Sequence, residues 1–167
     1  GLEDCRLFFL DDDLWFSCTT TDTNSVHPQI SLCKLSSSKN LSRFEQFIPV
    51  EELLVLQGPD FPNRDEKNWL PIFKEGELSF IYSYAPFLIY KPDLRTGVCE
   101  QILYYDQVYD FSRFRGSAPP IEFDDGFLLL VHETVFFDFN RYDLHRFLKL
   151  DRNLRCTHLS RPFTFKH

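Results

Sequence analysis

The sequence predicts an all-β fold, and three observations carry that reading. Runs of β-branched and aromatic residues are short and broken by acidic or glycine turns. Helical periodicity is nearly absent, and one strand–turn–strand pattern recurs three times. Its copies are DDDLWFSCTTTD from Asp11, KEGELSFIYSY from Lys74 and DDGFLLLVHE from Asp124, with Leu14, Glu77 and Phe127 standing 63 and 50 residues apart. A four-stranded antiparallel unit repeated every fifty-odd residues is the sequence form of a β-propeller blade. The chain therefore reads as one partial propeller domain of three blades, at approximately 1–64, 65–111 and 112–167.

Each element follows from local chemistry. In every unit an apolar strand (CRLFFL, WLPIFK, SAPPIEF) runs into the acidic or glycine turn, whose residues tolerate the backbone of a tight hairpin. A third strand follows a polar or proline-bearing break: QISLCKL from Gln29, PFLIYKP from Pro86 and YDLHRFLKLD from Tyr142. A weaker fourth strand closes each unit, around Phe44 to Val50, Val98 to Tyr104 and Thr157 to Phe165. Ser42 to Gln57 is the one stretch with the pattern of a short helix, and Pro49 interrupts it. Three blades are fewer than the four to eight that close a propeller, and would leave two sheet edges unpaired. The chain also has no Met and begins Gly1-Leu2-Glu3-Asp4. Together these predict missing N-terminal blades or a larger parent chain.

Composition narrows the functional classes. The chain has 167 residues, 43% hydrophobic and 17% aromatic, enough for a sizeable core. Its longest apolar runs, such as Phe127 to Val131, are far too short for a bilayer span. A formal net charge of −7 disfavours nucleic acid, which needs a broad positive face. Residues 141–167 are locally basic, with seven Lys/Arg against two acids, which fits a solvated edge or a small anionic ligand such as phosphate. Five cysteines without C-x-x-C spacing signal neither a zinc site nor a disulfide framework, so reduced thiols and a cytoplasmic location are expected.

Propellers place ligands where strand ends converge at the channel mouth, and four polar clusters sit at corresponding ends of the repeats. The first, Gly1-Leu2-Glu3-Asp4-Cys5-Arg6, sets carboxylates beside a guanidinium and reads either as a catalytic acid with its partner or as a charged turn. The second, Asp65-Glu66-Lys67-Asn68-Trp69, offers an ammonium, an amide and an indole able to stack on a sugar, or else a polar loop with a core Trp. In the third, Arg113 and Arg115 flank a glycine turn at Gly116, suited to forked bonds with phosphate or carboxylate or to a plain basic loop. The fourth joins His132 and Glu133 to Tyr142, His145 and Arg146. Strand alternation puts His132 and Glu133 on opposite faces, and separates His145 from Tyr142 and Arg146. No catalytic triad, phosphate loop, dinucleotide motif or metal-ligand spacing is present in the sequence, so no cofactor or metal is expected.

Four collinear segments carry a family resemblance. GLEDCRL resembles the G-x-E-D-P-R motif of the five-bladed propeller family of β-mannoside phosphorylases and hydrolases, glycoside hydrolase family one hundred and thirty. EKNWLPIF is similar to that family's lysine-bearing segment, RGSAPPIEFDDGFLLLVHE to its G-x-x-P-P-I segment ending in Y-H-G, and RYDLHRFLKLD to its Y-x-x-G-A-x-x-L-D strand. The resemblance implies a five-bladed propeller acting on an oligosaccharide or glycoside. Asp4 would match the general acid, and Arg6 would line the same site. Lys67, with Asn68 beside it, Arg115 and His132 fall where the family binds sugar or phosphate, and Glu133 and Tyr142, in the same segments, are further candidates for substrate or phosphate binding. Inorganic phosphate would be the nucleophile in phosphorolysis, with inversion, whereas hydrolysis needs a carboxylate base for water. Cys5 in place of proline, Glu133 in place of glycine, and His145-Arg146 in place of G-A mark a divergent branch. Two alternatives stand beside β-mannoside cleavage: mannosyl transfer from a nucleotide sugar or sugar phosphate, and a non-catalytic carbohydrate-binding propeller.

Overall fold

A computed structural model describes residues 1–23, 26–35 and 49–165. Among these residues twelve strands run in chain order: β1 Leu2–Leu10, β2 Asp13–Thr20, β3 Gln29–Leu35, β4 Val50–Val55, β5 Leu70–Lys74, β6 Glu77–Tyr84, β7 Phe87–Pro92, β8 Cys99–Tyr105, β9 Arg115–Phe123, β10 Gly126–Phe137, β11 Asn140–Asp151 and β12 Cys156–Leu159. They form three antiparallel four-stranded sheets, each with its strands in sequence order. The sheets do not close into a ring.

The turns explain the meanders. Leu10 pairs with Asp13, Lys74 with Glu77 and Phe123 with Gly126, so each first hairpin has a two-residue turn. Asp11, Glu75 and Asp124 have φ of 53°, 55° and 51°, the left-handed backbone that twist-matched hairpins require. Gly76 completes the Glu75-Gly76 turn at φ 81°, where a side chain would be strained.

The second sheet lies between the other two. Period-two alternation sends Leu78 and Phe80 of β6 toward the first sheet, where they pack with Ile30, Leu32, Leu56 and Trp69. Ile81 faces the third sheet with Leu70, Ile72, Phe87 and Ile89, against Phe127, Leu129, Val131, Leu148 and Leu150. Fully buried side chains such as Phe80 and Phe87 each contribute about 1.5–3 kcal/mol through removal from water. At the seams, β5 lies against β9 and β1 against β5, so the first strands of the three sheets adjoin.

Three predicted elements need correction. The short helix over Ser42–Gln57 is replaced in its described part by β4, whose Leu53 and Leu54 pair with Cys33 and Leu32 of β3. Ladder bonds to a buried strand outweigh the weak helical pattern of a segment holding proline. The first unit's fourth strand starts at Val50 instead of ending there; positions 44–48 of that expectation lie outside the described residues. The last fourth strand is shorter than expected, ending at Leu159, although Phe163 still bridges to His145.

Candidate functional site

Register identifies a common position in the three sheets. Arg6 pairs with Ser17, Leu70 with Ile81 and Ala118 with Leu130, in each case four residues past the start of the second strand. Two residues before these equivalents stand Asp4, Asn68 and Gly116. Asp4 and Asn68 have φ of 54° and 61°, a conformation open chiefly to Asp, Asn and Gly. All three positions converge on one guanidinium. Arg6 donates from Nη1 to the Asp4 carbonyl at 2.8 Å, and from Nη2 to the Gly116 carbonyl at 3.2 Å and the Asn68 Oδ1 at 3.4 Å.

This guanidinium is buried, at 8% exposure. Burial draws its pKa down and the neighbouring Asp4 opposes that, yet an arginine stays protonated in either case. Its Nε is buried without a hydrogen-bond partner among the described residues, as is the Tyr84 hydroxyl. Burial pushes the Tyr84 phenol up, and Arg6 moderates the shift. The result is a fixed positive charge where the three sheets meet, with the exposed Asp4 at its edge.

Beside it opens a cleft of about 390 Å³, lined by Lys67, Asn68, Tyr84, Arg115 and Gly116. Lys67 and Arg115 are exposed, whereas the acids of this wall are engaged. Asp65 meets His27 Nδ1 at 2.7 Å, Asp60 pairs with Arg64 at 3.2 Å, and Glu66 is buried. Glu66 accepts from Trp69 Nε1 at 3.0 Å and from the Tyr82 hydroxyl at 3.3 Å. Burial raises its pKa, with those two donors and Arg64 pulling the other way. The cleft thus offers Lys67 and Arg115, with Arg64 paired to Asp60 at its margin, together with an amide and backbone groups, a donor set suited to phosphate or sugar hydroxyls.

Asp4, Arg6, Lys67, Asn68 and Arg115 are therefore brought to one region. His132 adjoins it, since Arg115 is its cross-strand partner on β9. Its Nδ1 is 2.7 Å from Ser117 Oγ, and its ring lies 5.9 Å from that of His145. Burial lowers the His132 pKa, with His145, Arg141 and Arg115 adding to the shift against Asp143, which favours the neutral ring beside the Ser117 hydroxyl.

Glu133 and Tyr142 do not join this group. They share the opposite face of β10 and β11, where Glu133 pairs with Arg146 at 3.2 Å. The two charges that distinguish this chain from the resembled motifs thus neutralise each other. Trp69 is 1% exposed and lies beneath Glu66, against Phe80 and Tyr82. It is a core residue, and the stacking role for this indole is withdrawn. Sequence reasoning missed Glu66 as a structural acceptor, together with Tyr84 and Ser117; only the E-x-x-W spacing that lets Glu66 accept from the indole N–H left a trace.

Among the described residues, no group of three or more His, Cys, Asp or Glu side chains is placed to hold a metal. No helix among them is long and apolar enough to cross a membrane.

Comparison with known proteins gives one partial likeness. A stretch of 80 residues is 32% identical to proteins named Beta-mannosyltransferase 1 from two strains of Komagataella phaffii. It covers 42% of this chain and 12% of each of those relatives, so the chain spans a small part of their length. No family model and no solved structure matches.

Proposed function

We propose that the chain carries part of a propeller-type, carbohydrate-active site that breaks a β-mannoside-like glycosidic bond, with Asp4 as general acid. The observation that carries this reading is the convergence of Asp4, Asn68 and Gly116 on Arg6, beside a cleft holding Lys67 and Arg115. Adjoining first strands are the arrangement expected of inner strands about a propeller axis.

Asp4 delivers a proton to the glycosidic oxygen as its bond to the anomeric carbon breaks. Phosphate held by Lys67 and Arg115 attacks that carbon from the opposite side, giving an inverted sugar 1-phosphate. Hydrolysis by the same acid would in addition require a carboxylate base to take the proton of the attacking water.

A second reading is mannosyl transfer from a sugar phosphate or nucleotide sugar, in which Lys67 and Arg115 stabilise the departing phosphate. The partial identity to Beta-mannosyltransferase 1 supports it. Replacing Asp4 by Asn in the intact protein tests the acid: turnover of β-mannosides falls at least a hundredfold with the circular-dichroism spectrum unchanged. Undiminished turnover would remove Asp4 from the mechanism.

A further inference from the structure

We infer that the outer face of the third sheet is a distal subsite for a neutral oligosaccharide chain whose terminal unit occupies the cleft; this rests on the reading above.

Arg115 connects the two places. It lines the cleft and also an open groove of about 540 Å³ walled by Arg113, Thr134 and Phe136. Along β10 the outward residues after His132 are Thr134 and Phe136, opposite Asp143 and Arg141 of β11. From His132 to Phe136 the strand advances about 13 Å, roughly the length of two or three hexose units.

The chemistry of this face fits a polyhydroxylated, uncharged ligand. Thr134 Oγ1 donates to Asp143 Oδ1 at 2.6 Å, and Arg141 Nη2 reaches both Asp143 oxygens at 3.3 and 3.2 Å. The Arg141 charge is thereby matched within the pair, so this end has little pull on a phosphate. The network still presents hydroxyl, carboxylate and guanidinium groups in fixed positions, the pattern that reads sugar hydroxyls. Phe136, 75% exposed, supplies an apolar ring of the kind that covers the C–H face of a pyranose.

The hairpin tip points the same way. Asp138 and Phe139 form its two-residue turn at φ of 48° and 61°. A phenylalanine in left-handed backbone costs about 1–2 kcal/mol, and Phe139 is fully exposed, with no packing among the described residues to offset it. Strain held at an exposed aromatic is a mark of a binding element.

The test is calorimetric binding and steady-state kinetics of the intact protein with β-linked manno-oligosaccharides of one to five units. Affinity rises with length up to about four units and then levels. Phe136→Ala weakens the longer oligosaccharides about three- to tenfold and leaves the shortest unchanged, Phe136→Tyr restores the gain, and Asp143→Ala reproduces the loss from a different side chain. Equal length dependence in wild type and Phe136→Ala would overturn the subsite. So would a change of oligomeric state in light scattering with oligosaccharide affinity intact, which would make the face a protein interface. Turnover without any length dependence sinks the subsite and spares the proposed activity. Length-dependent binding without turnover of any mannosyl substrate does the reverse.

Discussion

Replacing Gly116 by Ala probes the seam on which the site depends. A Cβ built at Gly116 lies 2.4 Å from Leu70 Cγ, 2.7 Å from Leu70 Cδ2 and 2.8 Å from the Asn68 carbonyl oxygen. Leu70 is fully buried in the core between the second and third sheets, so its side chain has no solvent to retreat into. The Asn68 oxygen belongs to the backbone on the very segment that presents its side chain to Arg6. Relief therefore requires β9 to move from β5, which is the overpacking case, costing about 1–3 kcal/mol. Moving Gly116 also draws its carbonyl from the Arg6 guanidinium and leaves part of a buried charge unsatisfied, adding about 1 kcal/mol. Urea denaturation of the variant should show a loss of about 2–4 kcal/mol, the sum of those two effects. Gly58→Ala is the internal comparison: its nearest contacts are 3.0 and 3.2 Å to Trp69 side-chain atoms and 3.2 Å to the Glu66 carboxylate, so it should be milder. A Gly116→Ala loss below about 0.5 kcal/mol, within the range of an ordinary surface substitution, would mean that the sheets do not meet as described.

Two further predictions concern buried polar groups. Glu66→Ala leaves the Trp69 indole N–H and the Tyr82 hydroxyl without their acceptor, lowering stability by about 2–4 kcal/mol; Glu66→Gln keeps one acceptor oxygen and should lose less, both read by the same denaturation. His132 has a folded pKa below its unfolded value near 6.5 because of burial. The unfolded chain therefore takes up the proton first, so stability is full above that unfolded value and declines as pH falls through it. His132→Asn should flatten the slope of stability against pH between about 7 and 5; an unaltered slope would place the titration elsewhere.

The sequence was most legible where local chemistry decides the outcome. Asp11-Asp12, Glu75-Gly76 and Asp124-Asp125 announce hairpins because few residues suit their backbone, and aromatic strands follow each of them. Three four-stranded meanders could be read from that alone. The 42–57 window misled because FEQFIPVEELLV spaces its apolar residues ambiguously, and pairing with β3 decided it. Asp4, Lys67 and Arg115 stood out as charges at corresponding strand ends. That Asp4, Asn68 and Gly116 occupy one register position became visible only once the hairpins were paired, since one is an acid, one an amide and one has no side chain. Glu66 and Trp69 show the opposite difficulty. Three residues apart in a polar segment, they read either as part of a sugar site or as a polar loop with a core Trp, and burial turns the carboxylate into the indole's acceptor and removes the ring from solvent.

The most direct test of the central claim is product analysis of the intact protein incubated with β-mannosides, with and without inorganic phosphate, and separately with mannosyl donors and an oligosaccharide acceptor. The proposed site predicts phosphate-dependent sugar 1-phosphate or free sugar from the β-mannosides, and elongated acceptor alone would select the transfer reading. Absence of every mannosyl product, from protein shown to be folded, would contradict a catalytic site around Asp4.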